Sequence, residues 1–548
     1  MDRRKFIEST LVAGTLGLSG CSGVRNPEPQ QAAGKEAPAD PGPAPFELDE
    51  ATVASLQDAM KSGKYTARSI TELYLQRIDA LDKKGPSLHS VIETNPDALK
   101  IADDLDAERK AKGPRGPLHG IPVLIKDNID TSDNMTNTAG SLALAGSKPP
   151  QDSFIAKKLR EAGAVIIGKA NLSEWANIRS NRSSSGWSAR GGQCRNPYSL
   201  DRNPCGSSSG SGSATSANLT ALSIGTETDG SIVCPSSTCG IVGIKPTVGL
   251  ISRSGVIPIS HTQDTAGPMC RTVSDAAILL SALTGVDPRD AATAGSQGKS
   301  QTDYTSFLDP NGLKGKRIGV IRSEFGFNSA VDKSMADAID VLKKGGAEIV
   351  DPANIDSMKD MGNAEIEVLL YELKADLNAY LATLGPSAPV KTLKEVIDFN
   401  EKNADKELVY FGQELFIQAE EKGPLTDAKY QAAAKKCKDL AAEKGIDAVM
   451  AKHRLDAFIS PTNGPAWTTD HVNGDHFVGG SSTGPAVAGY PSITVPCGFV
   501  SGLPIGISFS GKAWSEPTLI AIAFAFEQAT KHRRPPKFLP SLEAILKS

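Results

Sequence analysis

Gly120-Ile121-Pro122-Val123-Leu124-Ile125-Lys126-Asp127 is an apolar run that opens at a glycine and stops at a charged pair. It shows no polar alternation, so it reads as a strand buried on both faces whose C-terminal end delivers Lys126. Residues 153–162 read as a helix and 164–167 as another buried strand, which sets up a β/α alternation. Strands of this kind need helices on both faces of their sheet, so the fold class expected is α/β.

The alternation extends outward from there. Two amphipathic helices open the domain, at about 51–60 and 66–81, and the second places Ile70, Leu73, Leu75, Ile78 and Leu81 near helical spacing. Residues 274–283 read as helix, 317–321 as strand and 330–343 as helix. From 364 to 444 the pattern is mostly helical and charged, which suggests a lobe or cap. Strand-like runs return at 457–460, 492–496 and 505–509, before a last helix at 517–530. No linker composition interrupts this span, so residues 48–548 are expected to form one large domain rather than three.

The 548 residues carry 59 basic and 63 acidic side chains, for a net charge of -4. Such a balance offers no basic stripe to a nucleic-acid backbone. With 39% hydrophobic residues, global disorder is excluded. The seven histidines (His89, His119, His261, His453, His471, His476 and His532) are scattered without metal-ligand spacing, and no metal is expected. Beyond Cys21 there are Cys194, Cys205, Cys234, Cys239, Cys270, Cys437 and Cys497. An odd number in so long a chain is no disulfide framework. Buried free thiols are the expectation, although Cys234 and Cys239 are close enough in sequence for a local bridge.

The N-terminus carries a different signal. Met1-Asp2-Arg3-Arg4-Lys5 precedes a short apolar stretch, Leu11 to Leu18, and then small residues before Cys21. That order makes residues 1–21 an export signal of twin-arginine type, with lipid attached at Cys21. The stretch is far shorter than the roughly 20 residues a membrane span needs. Residues 22–47, with Pro27, Pro29, Pro38, Pro41, Pro43 and Pro45, read as an extended tether. The expected location is therefore periplasmic or membrane-anchored, with membrane contact through the lipid alone.

Glycine and serine supply 16 of the 31 residues from Ser183 to Ser213. A flexible linker is the ordinary meaning of such composition. Trp187, Arg190, Arg195, Tyr198 and Arg202 interrupt it, however, and strand-like sequence follows at once. A formal G-x-S-x-G centred on Ser208 lacks the preceding strand a nucleophile elbow needs, since Asn203-Pro204 stands there. Gly480 to Gly484 matches the same pattern by chance. No Lys-Ser/Thr follows the glycines, so a Walker phosphate loop is excluded, and no cofactor is expected.

After strand-like Ala221 to Ile224 comes Gly225-Thr226-Glu227-Thr228-Asp229-Gly230-Ser231-Ile232. Here the chain resembles the amidase signature family. The resemblance rests on a lysine after a Gly-Ile-Pro run, a Gly-Ser-Ser segment, and a second serine further on: Lys126, Ser207 and Ser231, in order. Gly168-Lys169-Ala170-Asn171-Leu172 and Gly243-Ile244-Lys245-Pro246-Thr247 are further landmarks. The bacterial peptide amidases are the most similar subgroup, through Asn171 to Asn177, Gly186 to Gly192, Pro204 to Gly206 and Gln263 to Met269. Asp229 stands where much of the wider family has glycine.

The resemblance implies a single-domain amidase-signature fold, with a mixed twisted sheet covered by helices on both faces. It implies that Ser231 is the nucleophile, Ser207 a bridging serine and Lys126 the base, with Thr228, Asp229, Gly230 and Ser231 forming the oxyanion hole. The residues fit that chemistry. A lysine at the end of an apolar strand is desolvated, which favours its neutral, basic form. Gly230 leaves room for a close approach. Ser208, Ser209 and Ser211 read as hydrogen-bonding residues of the loop, and Asp127 as a holder of the strand end. The activity expected is hydrolysis of carboxamides through an acyl-enzyme, releasing ammonia from C-terminal peptide amides or other small amides. Two alternatives stand beside it: the glutaminase subunit of a tRNA-dependent amidotransferase, and a non-catalytic lipoprotein that binds amides or peptides.

Overall fold

The apolar run that ends at Lys126 is a central strand of one mixed sheet. In chain order the eleven strands are β1 (Val91–Thr94), β2 (Pro122–Lys126), β3 (Val165–Ala170), β4 (Leu222–Glu227), β5 (Val242–Lys245), β6 (Thr265–Cys270), β7 (Arg317–Val320), β8 (Glu348–Val350), β9 (Ala457–Pro461), β10 (Ser492–Val500) and β11 (Leu503–Ser510). They lie in the order β1-β3-β2-β4-β6-β5-β10-β11-β9-β7-β8. β3, β2 and β4 are parallel, as are β9, β7 and β8, while β4, β6, β5, β10, β11 and β9 pair antiparallel in succession. The computed structural model describes residues 45–386 and 388–547. The expected signal peptide, Cys21 and the tether up to Ala44 lie outside the described residues. Phe46 already packs edge-on against Tyr74, so the folded part begins by that residue.

The opening helices α1 (Val53–Lys61) and α2 (Ala67–Arg77) start at Thr52 and Thr66, whose hydroxyls each accept from the N3 backbone in a capping box. α3 (Ala98–Lys112) is not apparent from periodicity, because its stripe is only Ala98, Ala102 and Leu105. α4 (Phe154–Glu161), α5 (Ser209–Ser216), α6 (Val233–Thr238), α7 (Val273–Leu283), α8 (Ser329–Lys344) and α9 (Ala364–Thr383) follow.

The two faces of the sheet differ. On β10 and β11 one face presents Ile493, Val495, Ile505, Ile507 and Phe509 to the main core, with Phe509 against Phe526 of the helix Glu516–Thr530. The other face presents Thr494, Gly506 and Ser508, and there Thr462 and Ser237 come close. This small-residue face receives α6, and α5 packs on the small residues Ser223 and Gly225 of β4. The residues from Ser208 into α5 are therefore a close-packed segment, not a linker. A Cβ on Gly210 would lie 2.2 Å from the carbonyl oxygen of Ser90, so only glycine fits. The lobe expected over 364–444 is present: α9 and the helices Leu393–Lys402 and Glu414–Glu420 share an apolar cluster containing Leu373, Leu377, Leu393 and Phe416.

Candidate active site

The parallel pair β2 and β4 carries the site at its C-terminal ends. Lys126 is the last residue of β2 and has no exposure to solvent. Its Nζ donates to Ser207 Oγ at 2.7 Å, to Thr226 Oγ1 at 2.9 Å and to the Thr226 carbonyl at 3.3 Å. Burial pushes the lysine pKa down to about 7, while the negative charges of Asp264 and Glu227 pull it partly back. Asp127 fixes the chain beyond the strand: its carboxylate accepts from Thr138 Oγ1, from Gly140 N at 3.3 Å and from Arg190 at 3.4 Å.

Ser207 is fully buried just before α5, and its carbonyl accepts from Ser173 N at 3.0 Å. Ser231 follows β4 and keeps 8% exposure, against none for Lys126 and Ser207. Its carbonyl accepts from Ser208 N at 3.1 Å, which ties the two serine segments together. Its hydroxyl has no hydrogen-bond partner among the described residues. Ser208, Ser209 and Ser211 instead spend their hydroxyls on carbonyls of Thr226, Cys205 and Ile224.

The turn between β4 and α6 has an unusual backbone. Among the described residues, the N–H groups of Thr228, Asp229, Gly230 and Ser231 find no acceptor in the protein. Gly230 and Ser231 are buried and Thr228 and Asp229 half-buried, so the turn offers a row of donors that an acceptor from outside could take. Gly230 makes the bend at φ 77°, which side-chain-bearing residues rarely adopt. The turn is braced from several sides. Glu227 accepts from Ile232 N at 2.7 Å and Val233 N at 3.0 Å, and Asp264 accepts from Thr228 Oγ1 at 2.6 Å. Asp264 also accepts from Ile259 N and Ser260 N at 2.8 and 2.9 Å, and burial raises its pKa to about 6.

A cavity of about 240 Å³ opens beside Gly206, Asp229 and Gly230, with Trp467 and Phe477 among its walls. A larger one, about 460 Å³, meets Asp264 but none of Ser207, Gly230 or Ser231. The smaller cavity is lined by the residues just before the two serines, Gly206 and Gly230. Its wall also holds a disulfide between Cys205 and Cys234, with Cα atoms 6.0 Å apart. This corrects the expectation for the cysteines: Cys234 pairs across 29 residues rather than with Cys239, and Cys239 is a buried free thiol. The bridge joins the segment two residues before Ser207 to the helix three residues after Ser231.

Among the described residues one His/carboxylate group gathers, at His261, Glu372 and Asp376, despite the scatter of histidines in the sequence. Its oxygens are already taken by Ser260, Thr262, Tyr430 and the His261 ring and backbone, so it serves as a hydrogen-bonded clamp between the lobe and the 260 loop. Thr226, Glu227, Asp264 and the disulfide do not stand out in the sequence as parts of a site. Glu227 and Asp264 lie within the family motifs, and only the fold shows what they brace.

The family model described as Amidase matches residues 69–520. A probable amidase of Arabidopsis thaliana is 46% identical over 503 residues, covering 90% of this chain and 93% of that protein. The native peptide amidase of Stenotrophomonas maltophilia superposes with a TM-score of 0.86 at 50% identity, covering 90% of this chain and all of the other. A glutamyl-tRNA(Gln) amidotransferase subunit of Clostridium botulinum is 34% identical, covering 88% of this chain and 98% of that one.

Proposed function

The chain belongs to the amidase family, whose members hydrolyse carbon–nitrogen bonds of amides, and from that premise we propose a Ser231–Ser207–Lys126 relay acting on carboxamides. The observation that carries the relay is the buried Lys126 held 2.7 Å from Ser207. At pH 7 a lysine of ordinary pKa is neutral in only about 1 molecule in 2,500, which is too few for an efficient base. With its pKa near 7, about half of the Lys126 side chains are neutral there.

In the proposed sequence, neutral Lys126 takes the Ser207 proton as Ser207 takes that of Ser231. Ser231 Oγ then attacks the carboxamide carbon, and the unpaired N–H groups of Thr228 to Ser231 receive the oxyanion. Collapse breaks the C–N bond, and the proton returns through Ser207 to the leaving ammonia. Water attacks the acyl-enzyme by the same relay and releases a carboxylic acid. No metal or nucleotide takes part.

The substrate class proposed is a C-terminal peptide amide or a small amide of similar shape. The likeness to peptide amidase supports it, as does the cavity beside Gly230 with its Trp467 and Phe477 walls. A glutaminase subunit is the second reading, because the amidotransferase relative is covered almost end to end. A panel of peptide amides, aryl amides and glutamine, scored by ammonia release, separates them; turnover of glutamine alone rejects the first. A serine-directed covalent inhibitor is expected on Ser231, and an adduct on Ser208 with Ser231→Ala still active overturns the relay. We further propose export, with lipid at Cys21. Labelled fatty acid should enter the wild type and not Cys21→Ala, and label in neither rejects the anchor.

A further inference from the structure

The Asp229 side chain sits within the unpaired turn yet has no part in the relay. Its Oδ2 accepts from Thr483 Oγ1 at 2.7 Å. Its Oδ1 is buried, and no amide or hydroxyl donates to it among the described residues. Glu365, in the first turn of α9, brings a second carboxyl within hydrogen-bonding reach of the Asp229 side chain. Two carboxyls can hydrogen-bond only when one carries a proton. Gln263 completes the arrangement: its Nε2 donates to Glu365 Oε1 at 3.0 Å and to the Thr228 carbonyl at 3.3 Å. The helical lobe thus reaches the turn through a carboxyl beside Asp229 and through one amide.

We infer that the Asp229–Glu365 carboxyl pair is a positioning device that holds the N–H groups of Thr228 to Ser231 in line, and that it comes apart when Glu365 loses its proton. The inference rests on reading that turn as the oxyanion hole. Burial, and then the neighbouring Asp229, push the Glu365 pKa up to about 8, so the shared proton is present at pH 7 and lost above that value. Once it is lost, two like charges face each other, and Asp229 draws its backbone away with it. The other groups facing the pair are Cys437, beside Glu365, and Lys245 and Glu227, beside Asp229. Asp264 holds the same turn through Thr228. The pKa of Lys245 is also about 8, so a variant at 365, rather than an alkaline limb as such, is the decisive test.

The experiment measures kcat and KM of the purified protein on a dipeptide amide, by ammonia release, between about pH 6 and 9.5. The wild type is expected to give a bell, rising near 7 with Lys126 and falling near 8 with Glu365. Glu365→Gln donates an N–H without titrating. It should keep at least about a third of the pH 7 rate and move the fall upward by about a unit or more. Glu365→Ala should lose about tenfold or more at pH 7, in kcat rather than KM. Asp229→Asn, which leaves no charge to repel, should also lose the fall. A Glu365→Gln profile that still falls near 8, or a wild type with no fall, overturns the inference. Serine-directed labelling run alongside distinguishes the two failures. Label on Ser231 with an unchanged Glu365→Gln fall sinks only the carboxyl pair, whereas no label on Ser231 sinks the site reading beneath it.

Discussion

Lys126 and Lys245 end two strands of the same sheet, β2 and β5, and neither has any exposure to solvent. Burial lowers both, to about 7 and about 8. Their partners differ. Lys126 donates to two hydroxyls and a carbonyl, whereas Lys245 donates to the carbonyls of Tyr490 at 2.7 Å and Pro485 at 3.2 Å. A hydroxyl can accept a proton and pass its own onward; a carbonyl can only accept. On the proposed relay, a depressed lysine is not by itself a base: a partner that can pass a proton would make Lys126 one, and Lys245, without such a partner, a brace.

The largest effect that would break the comparison is on activity. Lys126→Met and Ser231→Ala should each lose about a thousandfold or more in kcat, and the double variant should be hardly worse, because the groups act as one unit. Lys245→Met should retain activity within about tenfold per folded molecule. A Lys245→Met enzyme as dead as Lys126→Met, yet fully folded, would refute the assignment of roles.

The second effect is on stability and has the opposite ranking. Lys245→Met strands two buried carbonyls and removes the cation near Glu227 and Glu516, so it should cost about 2–4 kcal/mol. Lys126→Met gives up bonds to hydroxyls that can reorient, and it relieves a desolvated amine. It should be neutral or stabilising by up to about 2 kcal/mol at pH 7. The sign follows from linkage. Between about 7 and 10.5 the unfolded chain binds the lysine proton and the folded chain does not, so the wild type gains stability as pH rises through that window. The advantage of Lys126→Met should therefore shrink from pH 7 toward pH 10, as read by denaturant melts. An advantage that grows with pH would show that Lys126 is charged in the fold.

Both lysines are visible in the sequence, Lys126 after an apolar run and Lys245 within Gly243-Ile244-Lys245-Pro246. Which of them faces a serine is not, because that depends on strand order and on a segment 81 residues away from Lys126. The α/β alternation, the helical lobe and the parallel strands around β2 are legible because their apolar periodicity is strong. α5 is not, since Ser209 to Ser216 has no apolar stripe and is helical because a small-residue face receives it. β6 is hidden for a related reason: Gly267 and Pro268 discourage a strand reading, yet a Cβ on Gly267 would lie 1.9 Å from the Ile244 carbonyl, so the close pairing needs glycine. The Cys205–Cys234 pairing is illegible because spacing alone does not separate Cys234 from Cys239, which stays a free thiol with its Sγ 3.8 Å from the Pro204 carbonyl.

The smallest effect tests the setting of Lys126 rather than its presence. Thr226 Oγ1 accepts from Lys126 Nζ at 2.9 Å and from Asn128 Nδ2 at 2.9 Å. An acceptor on the amine favours its charged form and so holds the pKa up against burial. Thr226→Val keeps the shape and deletes that acceptor, leaving the amine with Ser207 and the Thr226 carbonyl. The acid limb of kcat/KM should then move to lower pH by about half a unit to one unit, and the plateau rate should fall by less than about tenfold. Here the base would be weaker but more often neutral, so the two changes oppose each other near pH 6. A limb that moves upward would mean that Thr226 had been donating to a neutral amine. The Lys126 lone pair would then be spent on Thr226 rather than on the Ser207 proton, against the relay.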